Sequence, residues 1–275
     1  MEALATDRKI VLNRIRYAYK LFVAMDLEGT LIPPGDGALT KLKAKERDLL
    51  AQLVRLNATH LAIVTERPIE AVNKAVHVPG MFYSGSSGLE YAAPGEPLVQ
   101  LAVEEKLEPF EAFAKELKKL AGHTRGVSIE RSPLQIKVDW SKAAAAPRKS
   151  FGDAIKELET SHATAIRAFP GRQSADYLPQ TGYDKGTGTL SFLRKVGFNL
   201  KSDLALYIGD DTPDEDAFRG IGNLGLTFRV GRATTQSAAK YSLKNPAEVW
   251  SLLQSILEVR GPQVANMVGS AARMF

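Results

Sequence analysis

The chain has no cysteine. Disulfide staples, thiolate metal sites and cysteine nucleophiles are therefore excluded. Its basic N-terminal stretch, Arg8 to Lys20, has no apolar run long enough for a signal peptide or a membrane span. The expectation is a soluble, cytoplasmic protein with no membrane partner. Long runs of Lys and Arg are missing, as are helix-turn-helix, zinc and RNA-binding signatures. Nucleic acid is thus not the expected partner, although the formal net charge is +5. There is no Walker-type glycine loop either, which removes a P-loop kinase, and no internal repeat.

What is present fits a globular α/β chain. With 275 residues it is long enough for a core domain carrying a smaller inserted one. Leu21–Met25 is a continuous apolar run, the pattern of a strand buried on both faces of a parallel sheet. It ends at Asp26 and runs into a loop rich in Gly and Pro, from Gly29 to Gly37. Leucines at near-helical spacing occupy 40–56. A second apolar run, 60–64, ends at Thr65, and a third, 204–208, ends at Gly209-Asp210-Asp211. In open parallel sheets ligands bind beyond the carboxyl ends of the strands, so these three ends are expected to converge.

The middle differs. Leu107, Phe110, Phe113, Leu117 and Leu120 predict an amphipathic helix over 104–120. Residues 127–129 and 134–138 read as strands, and the alternation in the second predicts an antiparallel sheet with one solvated face. Phe151–Leu158 reads as helix. The expected fold is α/β: a Rossmann-like parallel-sheet core from 1–103 and 181–275, with a smaller α/β cap inserted at 104–180. Gly261-Pro262 reads as the end of the fold.

Four constellations carry chemistry. Asp26-Leu27-Glu28-Gly29-Thr30 puts a carboxylate at a strand end, where it can attack phosphorus and form an acyl phosphate. Residues 210–216 hold five acids in seven positions, which repel unless a cation is present. All-oxygen donors without His or Cys favour Mg²⁺ over zinc. Lys185, at a Gly-rich helix start, can hold a phosphate oxygen and offset those acids. Thr65-Glu66-Arg67 offers a hydroxyl for a phosphoryl oxygen.

In this order the four resemble the haloacid-dehalogenase-like phosphatases. Asp26–Pro33, Gly85–Glu90, Asp184-Lys185-Gly186, the 209–218 string and the stretch from Ala239 to Val249 resemble trehalose-6-phosphate phosphatases in particular. The resemblance implies a Mg²⁺-dependent phosphatase with Asp26 as nucleophile and Glu28 as acid/base, the Glu28 carbonyl lying on the metal. Thr65 would bind the phosphoryl group and Lys185 steady it. Asp210 would bind Mg²⁺, with Asp211 and Asp214 completing or supporting the site. Thr30, Arg67, Gly88 and Glu90 in the core, and Glu130, Arg131 and Asp176 in the cap, would contact substrate. Arg125, Lys137 and Arg172 are further cap candidates.

The implied substrate is a sugar phosphate, with trehalose 6-phosphate first. Sucrose phosphate, a glycosyl-phosphoglycerate, or a non-catalytic sensor of sugar phosphates are the alternatives. The departures from the family pattern are specific. Glu28 stands where the family has Asp, Glu66 where it has Gly, and no lysine follows Ser132 to complete a Glu-x-Lys motif. The extra methylene of Glu28 moves its oxygens by about 1.5 Å, which predicts a slow enzyme that Glu28→Asp should speed up.

Overall fold

The computed structural model describes residues 2–34, 39–101, 104–132, 134–171, 173–231 and 237–271. The chain divides into two compact units, Met1–Gln100 with Asp184–Phe275, and Leu101–Tyr183.

The larger unit begins with β1 (Glu2–Ala3), α1 (Leu4–Tyr17), β2 (Leu21–Met25), α2 (Ala44–Val54), β3 (Thr59–Val64), α3 (Ile69–Ala75), β4 (Phe82–Gly85), β5 (Glu90–Ala92) and β6 (Val99–Gln100). The smaller unit contributes α4 (Glu104–Gly122), β7 (Ser128–Ser132), β8 (Gln135–Asp139), α5 (Ala145–Ser161), β9 (Ile166–Pro170) and β10 (Ser174–Pro179). The larger unit then resumes with α6 (Lys185–Lys195), β11 (Leu204–Gly209), α7 (Asp214–Ile221), β12 (Gly225–Val230), β13 (Tyr241–Leu243) and α8 (Pro246–Ala271).

The main sheet runs β1-β13-β12-β11-β2-β3-β4-β5-β6. Pairing is parallel from β1 through β4 and antiparallel at β5 and β6. β2 shows why its residues make a central strand. Leu21, Val23 and Met25 pack into one apolar cluster with Val11 and Ile15 of α1, Leu50 and Leu53 of α2, and Leu252 and Ile256 of α8. Phe22 and Ala24 pack into another with Phe192 of α6 and Phe218 of α7. Successive side chains of a strand point to opposite faces, so a strand covered by helices on both sides must be apolar throughout. From β2 the chain moves outward to β3 and β4 on one side, and later returns to β11 and β12 on the other. The carboxyl ends of β2 and β11 are thus a topological switch point.

The smaller unit has one sheet, β7-β8-β10-β9, antiparallel throughout. Phe110, Phe113 and Leu117 of α4 and Phe151 and Ile155 of α5 bury one face against Ile136, Val138, Ala175 and Tyr177. The alternation seen at 134–138 is this one-sided burial.

The structure departs from expectation at α8. Its backbone continues through Gly261 and Pro262 to Ala271, whereas that dipeptide read as a stop. Proline removes one amide donor from a helix, and here the loss of that donor does not end it. Among the described residues no helix is long and apolar enough to cross a membrane.

Candidate active site

Asp26 follows β2 directly, and its amide donates to the Ile208 carbonyl of β11 at 2.8 Å. The loop then turns tightly, with Gly29 N–H on Ile32 O at 2.7 Å and Leu31 N–H on Leu27 O at 2.8 Å. Gly29 has φ +81°, and a Cβ there would lie 2.1 Å from Asp210 Oδ2. Only glycine satisfies both constraints. Thr30 donates its hydroxyl to Asp210 Oδ1 at 3.2 Å.

Asp214 opens α7 and is fully buried. Its Oδ2 accepts the amides of Asp210 and Asp211 at 2.9 and 3.1 Å. Its Oδ1 accepts Lys185 Nζ at 3.0 Å and the Tyr207 hydroxyl at 2.8 Å. Gly209 permits this, since a Cβ there would meet Asp214 Cγ at 2.2 Å. Lys185 opens α6, whose cap is the Asp184 carboxylate on the Thr187 amide at 2.7 Å. Its ammonium reaches Asp26 Oδ1 at 2.8 Å and Asp211 Oδ1 at 3.8 Å. Four strand and helix ends thereby meet on one buried cation.

The electrostatics follow from that enclosure. Burial pushes the Asp26 carboxyl well above its ordinary range; Lys185 opposes the shift, and Asp214 and Asp210 add to it. Burial, reinforced by Asp214, pushes Asp210 up to about 6. Burial works against the charge on Lys185, but Asp214, Asp26, Asp211 and Glu66 raise it well above its usual value. It is a fixed cation. Burial would likewise raise Asp214, yet Lys185 and the Asp211 amide bring it below the usual carboxylate range.

One oxygen from each of Asp26, Asp210 and Asp214 lies within 4.8 Å of the other two. Mg²⁺ binds oxygens at about 2.1 Å in octahedral geometry, which puts its ligands about 3–4 Å apart. The all-oxygen donor set, and two carboxyls pushed upward while no divalent charge is near, fit such an ion.

On the other side of β2, Thr65 follows β3 and is 3% exposed. Its hydroxyl accepts the Arg67 amide at 3.3 Å. The 65–69 segment is held from behind by the turn after β4. Ser87 N–H donates to Thr65 O at 3.2 Å and Ser86 N–H to Arg67 O at 3.0 Å. Glu90 Oε2 accepts the Ile69 amide at 2.7 Å. Ser86 and Ser87 have φ of 50° and 55°, conformations costing about 1–3 kcal/mol each for non-glycine residues. Gly88, at φ +91°, lies against the Asp184 carbonyl, 2.6 Å from where a Cβ would stand.

Two sequence candidates are therefore engaged within the protein: Glu90 caps α3, and Gly88 gives α6 room to approach. Glu28 is engaged too. Arg67 Nε donates to its Oε2 at 2.6 Å and Nη2 to its Oε1 at 2.9 Å. Tyr207, the Ser86–Ser87 amides and this ion pair were not read from the sequence. Tyr207 lay inside an apolar run, and the others are contacts between distant segments.

In the smaller unit, Glu130, Lys137 and Asp176 stand opposite one another across β7, β8 and β10. With Ser128, Asp139 and Ser174 they line a cavity of about 210 Å³. Arg131 does not join them: its guanidinium pairs with Glu111 of α4. Adjacent strand residues face opposite sides, so Glu130 and Arg131 do not serve one surface. Arg172, Gly35 and Gly37 lie outside the described residues.

A doubly wound core with an inserted α/β unit, and a lysine enclosed among aspartates at the switch point, define a phosphoric monoester hydrolase of the haloacid-dehalogenase-like type. A family model described as trehalose-phosphatase matches residues 24–247, and the chain belongs to that family. It is 28% identical over 259 residues to probable trehalose-phosphate phosphatase D of Arabidopsis thaliana, covering 87% of this chain and 68% of that protein. It is 30% identical over 197 residues to trehalose-phosphate phosphatase of Mycobacterium tuberculosis, covering 69% of this chain and 49% of that one. The fold is similar to the C-terminal domain of C. albicans trehalose-6-phosphate phosphatase, with a TM-score of 0.74 at 20% identity, covering 94% and 98% of the two chains.

Proposed function

We propose that this protein is a Mg²⁺-dependent phosphatase that converts trehalose 6-phosphate to trehalose and phosphate through an aspartyl-phosphate on Asp26. The observation that carries the reading is the 2.8 Å contact from Lys185 to a nearly buried Asp26, beside Asp210 at the same sheet edge.

A carboxylate oxygen of Asp26 attacks phosphorus, and the bond from phosphorus to the sugar oxygen breaks. Glu28 gives its proton to the departing oxygen. A water molecule then attacks phosphorus, Glu28 takes a proton from it, and the bond to Asp26 breaks to release phosphate. Lys185 and the Thr65 hydroxyl hold the phosphoryl oxygens. Asp26, Asp210 and the Glu28 carbonyl would hold Mg²⁺, with Asp211 and Asp214 supporting. The ion supplies positive charge against the negative charge of the transferring group. Glu130, Lys137 and Asp176 offer acceptors and a donor suited to sugar hydroxyls.

The bidentate hold on Glu28 favours one second reading, a sensor that binds sugar phosphate without turning it over. Phosphate release decides between them. The panel is trehalose 6-phosphate, sucrose phosphate, a glucosyl-phosphoglycerate and glucose 6-phosphate, each with Mg²⁺ and with a chelator. The expected result is Mg²⁺-dependent release, greatest from trehalose 6-phosphate. Binding of the panel with no release would replace the phosphatase by the sensor.

A further inference from the structure

The role assigned to Arg67 in this subsection rests on the acid/base role that the proposed function gives to Glu28. A glutamate has one more rotatable bond than an aspartate, so its carboxylate can occupy more positions. Proton transfer to the sugar oxygen and from the attacking water requires a fixed position. We infer that Arg67 is the positioning residue for Glu28, and that the pair acts as one unit in place of a shorter carboxylate.

The geometry is bidentate, 2.6 and 2.9 Å from two different guanidinium nitrogens to the two carboxylate oxygens. Such a fork fixes the plane of the carboxylate as well as its distance. Each oxygen accepts one bond from Arg67 and keeps a second lone pair for the proton in transit. Both side chains are partly open, Arg67 31% and Glu28 22% exposed, so the free lone pairs face accessible space.

Arg67 is itself held. Its carbonyl accepts the Ser86 amide, its amide donates to Thr65 Oγ1, and Glu90 caps Ile69 two residues on. The left-handed Ser86–Ser87 turn thus acts on Glu28 through the 65–69 segment. That segment also carries the Thr65 hydroxyl, so one rigid stretch sets both groups. An aspartate at 28 would stop about 1.5 Å short of the same guanidinium. On this account Glu28→Asp slows the enzyme, the reverse of what side-chain length alone suggests.

The test is steady-state phosphate release from trehalose 6-phosphate by wild type, Arg67→Ala, Arg67→Lys, Glu28→Asp, Glu28→Gln and the double variant Glu28→Gln/Arg67→Ala. Arg67→Ala is expected to lose on the order of 100-fold in kcat with KM within about twofold. Glu28→Gln/Arg67→Ala should be no slower than Glu28→Gln, because two groups acting as a unit are not additive. Added guanidinium ion, well below unfolding concentrations, should restore part of the activity of Arg67→Ala and none of Glu28→Gln. Arg67→Lys, a point charge without the fork, should fall between wild type and Arg67→Ala.

Additive losses, or a loss borne by KM, would make Arg67 a substrate contact instead. A lowered unfolding midpoint in Arg67→Ala, with no rescue and full activity in Arg67→Lys, would make it merely structural. A Glu28→Asp variant faster than wild type would also overturn the inference. If wild type releases no phosphate from any sugar phosphate, the proposed function fails and this inference with it. If wild type is active and Arg67→Ala equals it, only the inference fails.

Discussion

At the scale of single residues, Lys185 decides whether the site can exist. It is 2% exposed, and its ammonium is the cation within hydrogen-bond distance of both Asp26 and Asp214. Removing one member of a buried ion pair leaves an uncompensated charge and costs about 3–5 kcal/mol. Lys185→Met should lose that much in urea unfolding with divalent cations chelated; unchanged stability would mean that Asp26 and Asp214 are neutral there. Asp210 gives the pH dependence. Its carboxyl is pushed up to about 6 by burial and Asp214, from about 4 in an unfolded chain. Between those values the folded state holds more protons, so this group lowers the stability of the metal-free protein as pH rises from about 4 to about 6. Mg²⁺ needs the ionised form. The rise in Tm on adding Mg²⁺ should therefore be larger at pH 7.5 than at pH 5, and equal rises would remove Asp210 from the metal site. Asp26, Asp210 and Lys185 were legible in the sequence because an acid directly after five apolar residues has no packing role. The Arg67–Glu28 pair was not, since nothing local to either residue specifies a partner 39 positions away.

At the scale of elements, the site depends on how closely loops approach one another. The loop after β2 must pass against the Asp210 carboxylate, and α8 braces it through Trp250 Nε1 on Leu31 O at 3.0 Å. Gly29→Ala would impose a side chain at φ +81° and drive its Cβ to 2.1 Å from Asp210 Oδ2. It should lose Mg²⁺-dependent stabilisation and activity while the circular dichroism of the sheet and helices persists. Retained Mg²⁺ stabilisation would show that the loop can move aside. β2, β3 and β11 were legible because strands buried on both faces give unbroken apolar runs. The β5 and β6 edge strands are only three and two residues long, too short for any period to show. α1 was missed for another reason: Val11 and Ile15 form its buried stripe while Ile10 and Tyr17 are exposed, so apolar residues on both sides blur the pattern.

At the scale of the whole molecule, the chain divides chemistry between two units with different cores. The larger holds the phosphate-directed groups. The smaller carries a polar row, Glu130, Lys137 and Asp176, on the face of its sheet away from α4 and α5. Lys137 lies one strand over from Glu130 rather than two residues along from it, and only the pairing of β7 with β8 brings the two together. If this row binds sugar hydroxyls, Lys137→Ala should lower kcat/KM for trehalose 6-phosphate by about tenfold, equivalent to about 1.4 kcal/mol, and lower it less for a plain aryl phosphate. Equal losses would remove the row from sugar recognition. The central claim is that phosphate passes through Asp26. It is tested most directly by mixing enzyme, Mg²⁺ and trehalose 6-phosphate, quenching in acid within one turnover, and mapping the phosphoryl group by peptide mass. The account predicts an acyl phosphate on the peptide holding Asp26, more of it in Glu28→Gln, and none in Asp26→Asn, which should also release no phosphate. Full release by Asp26→Asn, or turnover by wild type with Asp26 never phosphorylated, would contradict it.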